Sequence, residues 1–213
     1  MCSWCYAFKP VLQQLRQQLK TQYPEDLQLV SVLGGLAADT DAAMPAEMRQ
    51  QLYTTWQRIE QKVPAIHFNY AFWDNWQQTQ PRRSTYPACR AVIATHSFDI
   101  SDNNIDANKY EELMVDAIQN AYYQQALNPS DNDVLIALAV KIGLPEKEFQ
   151  NRFLAEQTQL ILEQQLTQCQ QMNARSYPSL ILRIDSSYWP VSIDYHNIDI
   201  ILDNIRMILD FET

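Results

Sequence analysis

The feature that most constrains this chain is a Cys-x-x-Cys motif, Cys2-Ser3-Trp4-Cys5, at the start of a predicted amphipathic helix. Cysteines at this spacing lie about one helical turn apart, so their sulfur atoms can close a short disulfide and open it again. The amide groups and the macrodipole of a helix N-terminus favour negative charge and lower the pKa of the first thiol. The motif therefore predicts a redox-active dithiol in which Cys2 is the exposed nucleophile and Cys5 the resolving cysteine.

The alternatives to redox chemistry are one half of a zinc site and an inert cysteine pair. The other cysteines, Cys89 and Cys169, stand alone and the three histidines are scattered, so no second ligand pair accompanies the motif. No metal site is predicted. Cys89 and Cys169 have apolar neighbours and are interpreted as small buried thiols. A close pair with two single cysteines is typical of a protein in a reducing compartment.

The composition indicates an acidic, helix-rich globular protein. Only three glycines in 213 residues disfavour a turn-rich all-β fold, and the hydrophobic content of 46% is sufficient for a full core. A net charge of −9 disfavours binding to nucleic acid or to anionic membranes. Neither a bilayer-spanning apolar run nor a signal-peptide pattern is evident, so we expect a cytoplasmic protein without nucleic-acid or membrane partners.

Hydrophobic periodicity predicts the order helix, strand, long helical block, β-hairpin, helix. The first helix is predicted over residues 2–20 and ends near Pro24. Pro10 lies inside it, removes a backbone donor and is expected to kink the helix. The apolar run Leu29–Leu33, followed by two glycines, predicts a short buried strand.

The block from residue 37 to residue 172 is predicted to be almost wholly helical. Asn108 and Ser130 are expected to act as N-terminal caps within it. The aromatic residues between positions 68 and 76 are interpreted as packing rather than as a binding groove. The helices predicted in this block cover residues 45–62, 87–95, 109–127, 130–143, 146–155 and 158–171.

The chain closes with a predicted hairpin and a helix. Alternating apolar and polar residues predict strands over residues 179–184 and 188–193. Pro190 in the second strand implies an edge strand, because a central strand would lose a ladder hydrogen bond. Asn197 is expected to cap the final helix.

This order, with the motif, Pro10 and the late Tyr177-Pro178-Ser179 before a strand, resembles the DsbA-like thioredoxin superfamily. The segment from Pro81 to Ala91 resembles part of the helical insertion in its cytoplasmic FrnE-like branch. The resemblance implies an α/β protein with a thioredoxin fold and a large all-helical insertion. It implies a discontinuous thioredoxin-like domain of residues 1–36 and 173–213, with an inserted helical domain of residues 37–172.

The resemblance also implies substrate-binding residues. Pro178 matches the family's cis-proline, and the main chain of Tyr177 is expected to pair with an extended substrate peptide. Trp4 is expected to add apolar surface for the substrate. Arg82 and Arg83 are expected to hold an acidic peptide or a glutathione carboxylate, with solvated or structurally paired arginines as the alternative.

One departure from the family concerns the start of the chain. In the family a β-strand precedes the motif, between the strand near residue 30 and the one near residue 181, whereas here only Met1 does. Loss of that strand would leave buried peptide groups unpaired at about 1–3 kcal/mol each. Domain stability of about 5–15 kcal/mol could not absorb this. We therefore expect the natural chain to begin upstream.

The function expected from the motif and the resemblance is thiol–disulfide oxidoreduction of the protein disulfide reductase or isomerase type. The expected partners are protein or peptide disulfides and dithiols, with thioredoxin or glutathione as the cellular reductant. No cofactor is expected beyond the redox-active disulfide, with glutathione as a candidate co-substrate. The first alternative is a glutathione-dependent transferase or isomerase of the kappa-class or 2-hydroxychromene-2-carboxylate isomerase type, although those relatives lack a complete Cys-x-x-Cys. The second is a non-enzymatic peptide-binding holdase.

Overall fold

The structure, a computed structural model, describes residues 1–23, 27–74, 80–101 and 109–212. Its strands are β1 (Leu180–Ile184) and β2 (Ser187–Val191). The helices of the described residues are α1 (Ser3–Gln22), α2 (Ala46–Lys62), α3 (Ala71–Asp74), α4 (Tyr86–Ser101), α5 (Lys109–Tyr123), α6 (Asn132–Lys141), α7 (Glu146–Phe153), α8 (Glu156–Gln171) and α9 (Ile198–Glu212).

Helix α1 connects two parts of the core. Cys2 is its N-cap and Pro10 lies inside it, as predicted. The helix ends at Gln22, and the N–H of the C-cap residue Tyr23 donates to the carbonyl of Leu19 at 2.8 Å. Pro24, the predicted stop, lies outside the described residues. One face of α1 packs on the hairpin and on α9, in a core formed by Phe8, Val11, Leu15, Leu19, Val191, Ile201, Leu202 and Ile205.

The predicted hairpin and final helix are confirmed. Strands β1 and β2 pair antiparallel, with Leu180 opposite Val191 and Ile184 opposite Ser187. The side chain of Asn197 accepts a hydrogen bond from the N–H of Asp199 at 2.9 Å, which is the expected cap.

The strand predicted at Leu29–Leu33 is wrong. These residues have no regular secondary structure, and no described segment forms a β-ladder with them. An extended segment becomes a strand only when a neighbour supplies ladder hydrogen bonds. The N–H of Leu33 instead donates to the side-chain oxygen of Gln165 at 2.8 Å.

The helical block forms as predicted in outline, with a short additional helix α3 and with shifted helix ends, chiefly in α4, α5 and α6. Helix α4 is longer than the predicted residues 87–95. Helix α5 stops at Tyr123, before the predicted residue 127, because Ala126 has a φ of 57° in the left-handed region. Ser130 is not the cap of α6. Asp131 holds that position, and the Ser130 hydroxyl donates to the carbonyl of Ser84 at 2.7 Å. The predicted cap Asn108 lies outside the described residues.

An aromatic core surrounds Trp56 of α2, which is fully buried. Its ring stacks on Phe68 with centroids 4.7 Å apart and meets Tyr123 at 5.7 Å. Phe68, Phe72 and Trp73 are all buried, so packing is confirmed for these aromatic residues. Trp76 lies outside the described residues.

No helix in the described ranges is both long enough and apolar enough to cross a membrane.

Candidate active site

The sulfur of Cys2 lies at the N-terminus of α1, between two backbone groups. It accepts a hydrogen bond from the N–H of Cys5 at 3.1 Å. On its other side it lies 3.3 Å from the carbonyl oxygen of Tyr177, to which its thiol donates. Residues 175 positions apart therefore meet at the Cys2 sulfur, so the fold places the turn before β1 directly opposite the motif.

The two thiols of the motif have different acidities. The pKa of Cys2 is lowered, first because the Cys5 thiol donates a hydrogen bond to its sulfur, while burial opposes this; the Cys5 backbone N–H and the charge of the Met1 amino group lower it further. The pKa of Cys5 is raised, because its proton is held in that hydrogen bond and because the thiol is buried. The site thus favours a Cys2 thiolate beside a protonated Cys5.

Tyr177 is held in place through Gly34. The Tyr177 hydroxyl donates to the carbonyl of Gly34 at 3.0 Å, and a side chain on Gly34 would overlap the tyrosine ring. Burial raises the pKa of Tyr177 to about 12, so this hydroxyl keeps its proton at neutral pH. The peptide bond from Tyr177 to Pro178 is cis.

Ser3 connects the motif to the aromatic core through a hydrogen bond. Its side chain is buried, and its hydroxyl oxygen accepts a hydrogen bond from the indole N–H of Trp56 at 2.9 Å. Ser3 therefore has a structural partner on α2, a contact that the sequence pattern did not indicate.

A cavity of about 210 Å³, which we call the dithiol cavity, lies beside the two cysteines. Its wall includes Cys2, Cys5 and Tyr177, together with Cys89 of α4 and Gln119 of α5. Burial raises the pKa of Cys89 to about 11, so it stays a thiol at neutral pH. The expectation of a buried thiol is confirmed for Cys169, which is 4% exposed.

The sequence profile of the DSBA-like thioredoxin domain matches residues 1–202. The chain belongs to this family. The chain is therefore an enzyme of the general thiol–disulfide oxidoreductase class. A comparison with curated proteins finds no match.

Solved structures of the same fold cover the whole chain. A "putative protein disulfide isomerase" from Nitrosomonas europaea is 21% identical with a TM-score of 0.77, over 100% of this chain and 95% of that chain. The cytosolic disulfide reductase DsbM from Pseudomonas aeruginosa is 19% identical with a TM-score of 0.69, over 100% and 94%. Its structure with GSH is 19% identical with a TM-score of 0.67, also over 100% and 94%.

The expected thioredoxin fold with a helical insertion is therefore confirmed for this DSBA-like chain. At these identities the solved structures show the fold alone. Assignment to the FrnE-like branch, the division at residues 36 and 172 and an upstream start stay predictions.

Trp4, an expected substrate contact of this DSBA-like chain, is half-buried at the edge of the site. Its ring packs on Tyr195 with centroids 5.3 Å apart. The ammonium of Lys62 lies 5.7 Å from the Trp4 ring and 5.1 Å from the Tyr195 ring. Sequence reasoning missed Tyr195 and Lys62, because only the tertiary fold brings them to the motif.

The structure separates the two predicted arginines. Arg82 is paired with Asp41 at 2.8 Å and with Asp131 at 3.5 Å, and it donates to the carbonyl of Ser130 at 2.5 Å. These contacts favour the structural alternative for Arg82. Arg83 forms no ion pair with a described carboxylate, and its guanidinium contacts the sulfur of Met48 at 3.8 Å.

The charge of Arg83 acts on the N-terminus, one residue before the motif. Burial and, second, the charge of Arg83 lower the pKa of the Met1 amino group to about 6.

Among the residues that the structure describes, no three His, Cys, Asp or Glu side chains come together as metal ligands.

Proposed function

We propose that this chain reduces or isomerises disulfides of proteins or peptides through Cys2 and Cys5. The observation that carries the proposal is the position of the Cys2 sulfur between the Cys5 N–H at 3.1 Å and the Tyr177 carbonyl at 3.3 Å. The first contact stabilises a thiolate, and the second places the main chain that a substrate would use beside the nucleophile.

In the first step the Cys2 thiolate attacks one sulfur of the substrate disulfide. A bond forms between Cys2 and that sulfur, the substrate S–S bond breaks, and the second substrate sulfur leaves as a thiolate that takes up a proton. The lowered pKa of Cys2 supports this step, because it raises the fraction of thiolate at neutral pH.

In the second step Cys5 resolves the mixed disulfide. Cys5 gives up its proton and its thiolate attacks the Cys2 sulfur, which forms the Cys2–Cys5 disulfide and releases the other substrate sulfur as a thiolate. Two electrons have then passed from the enzyme dithiol to the substrate. The reverse steps oxidise a substrate dithiol, and both directions together isomerise a substrate.

The substrate is expected to bind as an added strand. An extended peptide would pair with the main chain of Tyr177 before Pro178, with its cystine at Cys2 and its neighbouring side chains against Trp4. The half-buried Trp4 ring supports this arrangement, since it packs on Tyr195 and still keeps part of its surface accessible.

We infer that glutathione is the reductant of the cycle. Two glutathione thiols would reduce the Cys2–Cys5 disulfide and leave as glutathione disulfide. The DsbM reductase was solved with GSH, and Arg83, whose charge acts on the Met1 amino group, has no described carboxylate partner. A cation of this kind suits a glutathione carboxylate. This cycle requires a reducing compartment, and we place the protein in the cytoplasm.

The proposal is tested with a Cys2→Ser variant in an insulin-reduction assay with glutathione. Loss of activity to the uncatalysed rate is expected, because the hydroxyl is a far weaker nucleophile than the thiolate. Full activity of this variant would overturn the proposal. A Cys5→Ser variant should accumulate mixed disulfides at Cys2, which are identified by reductant-sensitive shifts in electrophoresis.

The two alternatives predict other results. A glutathione transferase or isomerase would conjugate or isomerise a small molecule without reducing insulin. A holdase would suppress aggregation of an unfolded client equally well after replacement of both Cys2 and Cys5 by serine.

A further inference from the structure

We propose that Lys62 determines substrate specificity by binding an aspartate or glutamate side chain that lies beside the cystine of the substrate. This inference rests on the proposed function and names the class of peptide that the same site prefers. Lys62 is the last residue of α2 and its side chain is exposed. The exchange chemistry of Cys2 and Cys5 does not use it.

The ammonium of Lys62 lies over two aromatic rings at the edge of the dithiol site. It is 5.7 Å from the centroid of the Trp4 ring and 5.1 Å from the centroid of the Tyr195 ring. Both distances are within the roughly 6 Å at which a ring face attracts a cation. The two rings are tilted by 57° to each other, so the ammonium has an aromatic face on two sides. Because Trp4 stands between Cys2 and Cys5 in the chain, this positive charge lies beside the motif.

The ammonium of Lys62 forms no ion pair with a carboxylate of the described residues. Asp194 is the carboxylate that its charge affects. One oxygen of Asp194 accepts hydrogen bonds from the N–H groups of Asn197 at 2.7 Å and His196 at 2.8 Å. These two bonds are the main cause of the lowered pKa of Asp194, and the charge of Lys62 is the smallest. Asp194 is therefore stabilised mainly by the backbone, which leaves the ammonium available to a carboxylate of the substrate.

A substrate bound along the main chain of Tyr177 brings its side chains to this ammonium. In the proposed arrangement the cystine lies at Cys2 and the neighbouring side chains lie against Trp4. An extended peptide rises about 3.3 Å per residue, so side chains within two positions of the cystine start within about 7 Å of it. A carboxylate at one of these positions would meet the Lys62 ammonium over the Trp4 ring and accept a charge-assisted hydrogen bond.

The net charge of the chain does not favour acidic peptides. At −9 it attracts basic peptides and repels acidic ones at long range. Salt screens exposed charges beyond about 8–10 Å, so a cation beside the motif decides the preference of the bound peptide. A preference for acidic substrates would therefore depend on a local group such as Lys62.

The test uses peptide disulfides that differ at one residue, which is glutamate, glutamine or lysine. This residue is placed one or two positions before or after the cysteine. The kcat/KM of each peptide is divided by its rate constant with dithiothreitol, which removes the effect of the charge on the disulfide itself. At one position or more we expect glutamate to exceed glutamine roughly fivefold, the upper range for an exposed ion pair, and lysine to fall below glutamine. At about 1 M salt the ratio should approach one.

Three variants test the assignment to Lys62. In Lys62→Met the glutamate-to-glutamine ratio should fall to one or below, because the net charge of the chain then acts alone. Lys62→Arg keeps the charge and should keep the preference. Lys141→Met is the matched control, since Lys141 is also an exposed lysine at the end of a helix, α6. It changes the net charge by the same amount and should leave every ratio as in the wild type.

The outcomes separate this specificity from the proposed function. If uncharged hydroxyethyl disulfide is reduced but glutamate and glutamine differ by less than about twofold at every position, the role of Lys62 is overturned and the function stands. If the wild type reduces none of these disulfides, the function fails and the specificity with it. If Lys62→Met slows all peptides equally and keeps the ratio, Lys62 only supports the two rings and the inference is overturned. If Lys62→Met does not fold, Lys62→Gln decides by the same ratio.

Discussion

The ring of Tyr177 occupies the space that a side chain on Gly34 would need, and its hydroxyl donates to the Gly34 carbonyl at 3.0 Å. The same tyrosine presents its own carbonyl to the sulfur of Cys2 at 3.3 Å. The absence of a side chain at residue 34 therefore helps to set the main chain opposite the nucleophile.

We expect Gly34→Ala to displace Tyr177 and to lower the kcat/KM for insulin reduction roughly tenfold, because the substrate-binding main chain moves with the ring. The free energy of unfolding should fall by about 1–3 kcal/mol. Gly143→Ala is the control. A Cβ on Gly143 meets no atom, but its φ of 96° is strained for alanine, so this variant should lose stability without losing kcat/KM. Equal kcat/KM for Gly34→Ala and wild type would contradict the role of Gly34.

The acidity of Cys2 should depend on the side chain of Cys5. In Cys5→Ala the strongest hydrogen bond to the Cys2 sulfur is lost, so the pKa of Cys2 should rise. In Cys5→Ser the hydroxyl still donates, so the rise should be smaller. The Cys2 thiolate is lost as the pH falls through this pKa. The pKa is measured as the midpoint of the rate of alkylation by iodoacetamide plotted against pH. A midpoint in Cys5→Ala at or below that of Cys5→Ser would refute this explanation.

Ser3 should contribute to stability through Trp56. In Ser3→Ala the buried indole N–H loses its acceptor, and we expect the free energy of unfolding to fall by about 1–3 kcal/mol. Urea unfolding followed by tryptophan fluorescence measures this. The exposed Ser192 is a matched control, and Ser192→Ala should stay within about 0.5 kcal/mol of wild type. The contact matters little if both variants unfold at the same urea concentration.

Replacement of Arg82 should lower the stability of the protein, whereas replacement of Arg83 should raise the KM for glutathione. Arg82→Met removes contacts to two carboxylates and a carbonyl, so we expect a loss of about 1–3 kcal/mol in stability and little change in the KM for glutathione. Arg83→Met should raise that KM roughly fivefold, from the loss of one charge-assisted hydrogen bond, and should leave urea unfolding nearly unchanged. An unchanged KM in Arg83→Met would remove Arg83 from the glutathione site.

The dithiol could be predicted because its chemistry is local. Cys2 and Cys5 lie within one turn of one helix, and the hydrogen bond between them is a property of that turn. The hairpin and α9 could be predicted for the same reason, since periodicity and the Asn197 cap are short-range signals. The strand at Leu29–Leu33 could not, because a strand depends on a partner elsewhere in the chain.

The sequence gives only a partial indication of the dithiol cavity. Val115, Ile118, Gln119 and Tyr122 follow the i, i+3, i+4, i+7 spacing of one face of α5, so a glutamine stands on an otherwise apolar stripe. That position distinguishes Gln119 from the exposed glutamines of the chain. It does not reveal that Cys2, Cys5 and Tyr177 line the same cavity.

The sequence by itself determined the dithiol motif and the family, because motif spacing, a helix N-terminus and element order are all carried by the linear chain. Only the tertiary structure decided which groups surround the Cys2 sulfur. The Tyr177 carbonyl, the Gly34 contact and Gln119 reach the site from distant parts of the chain. Their positions depend on packing, which is the sum of many weak contacts between segments and leaves no short-range pattern.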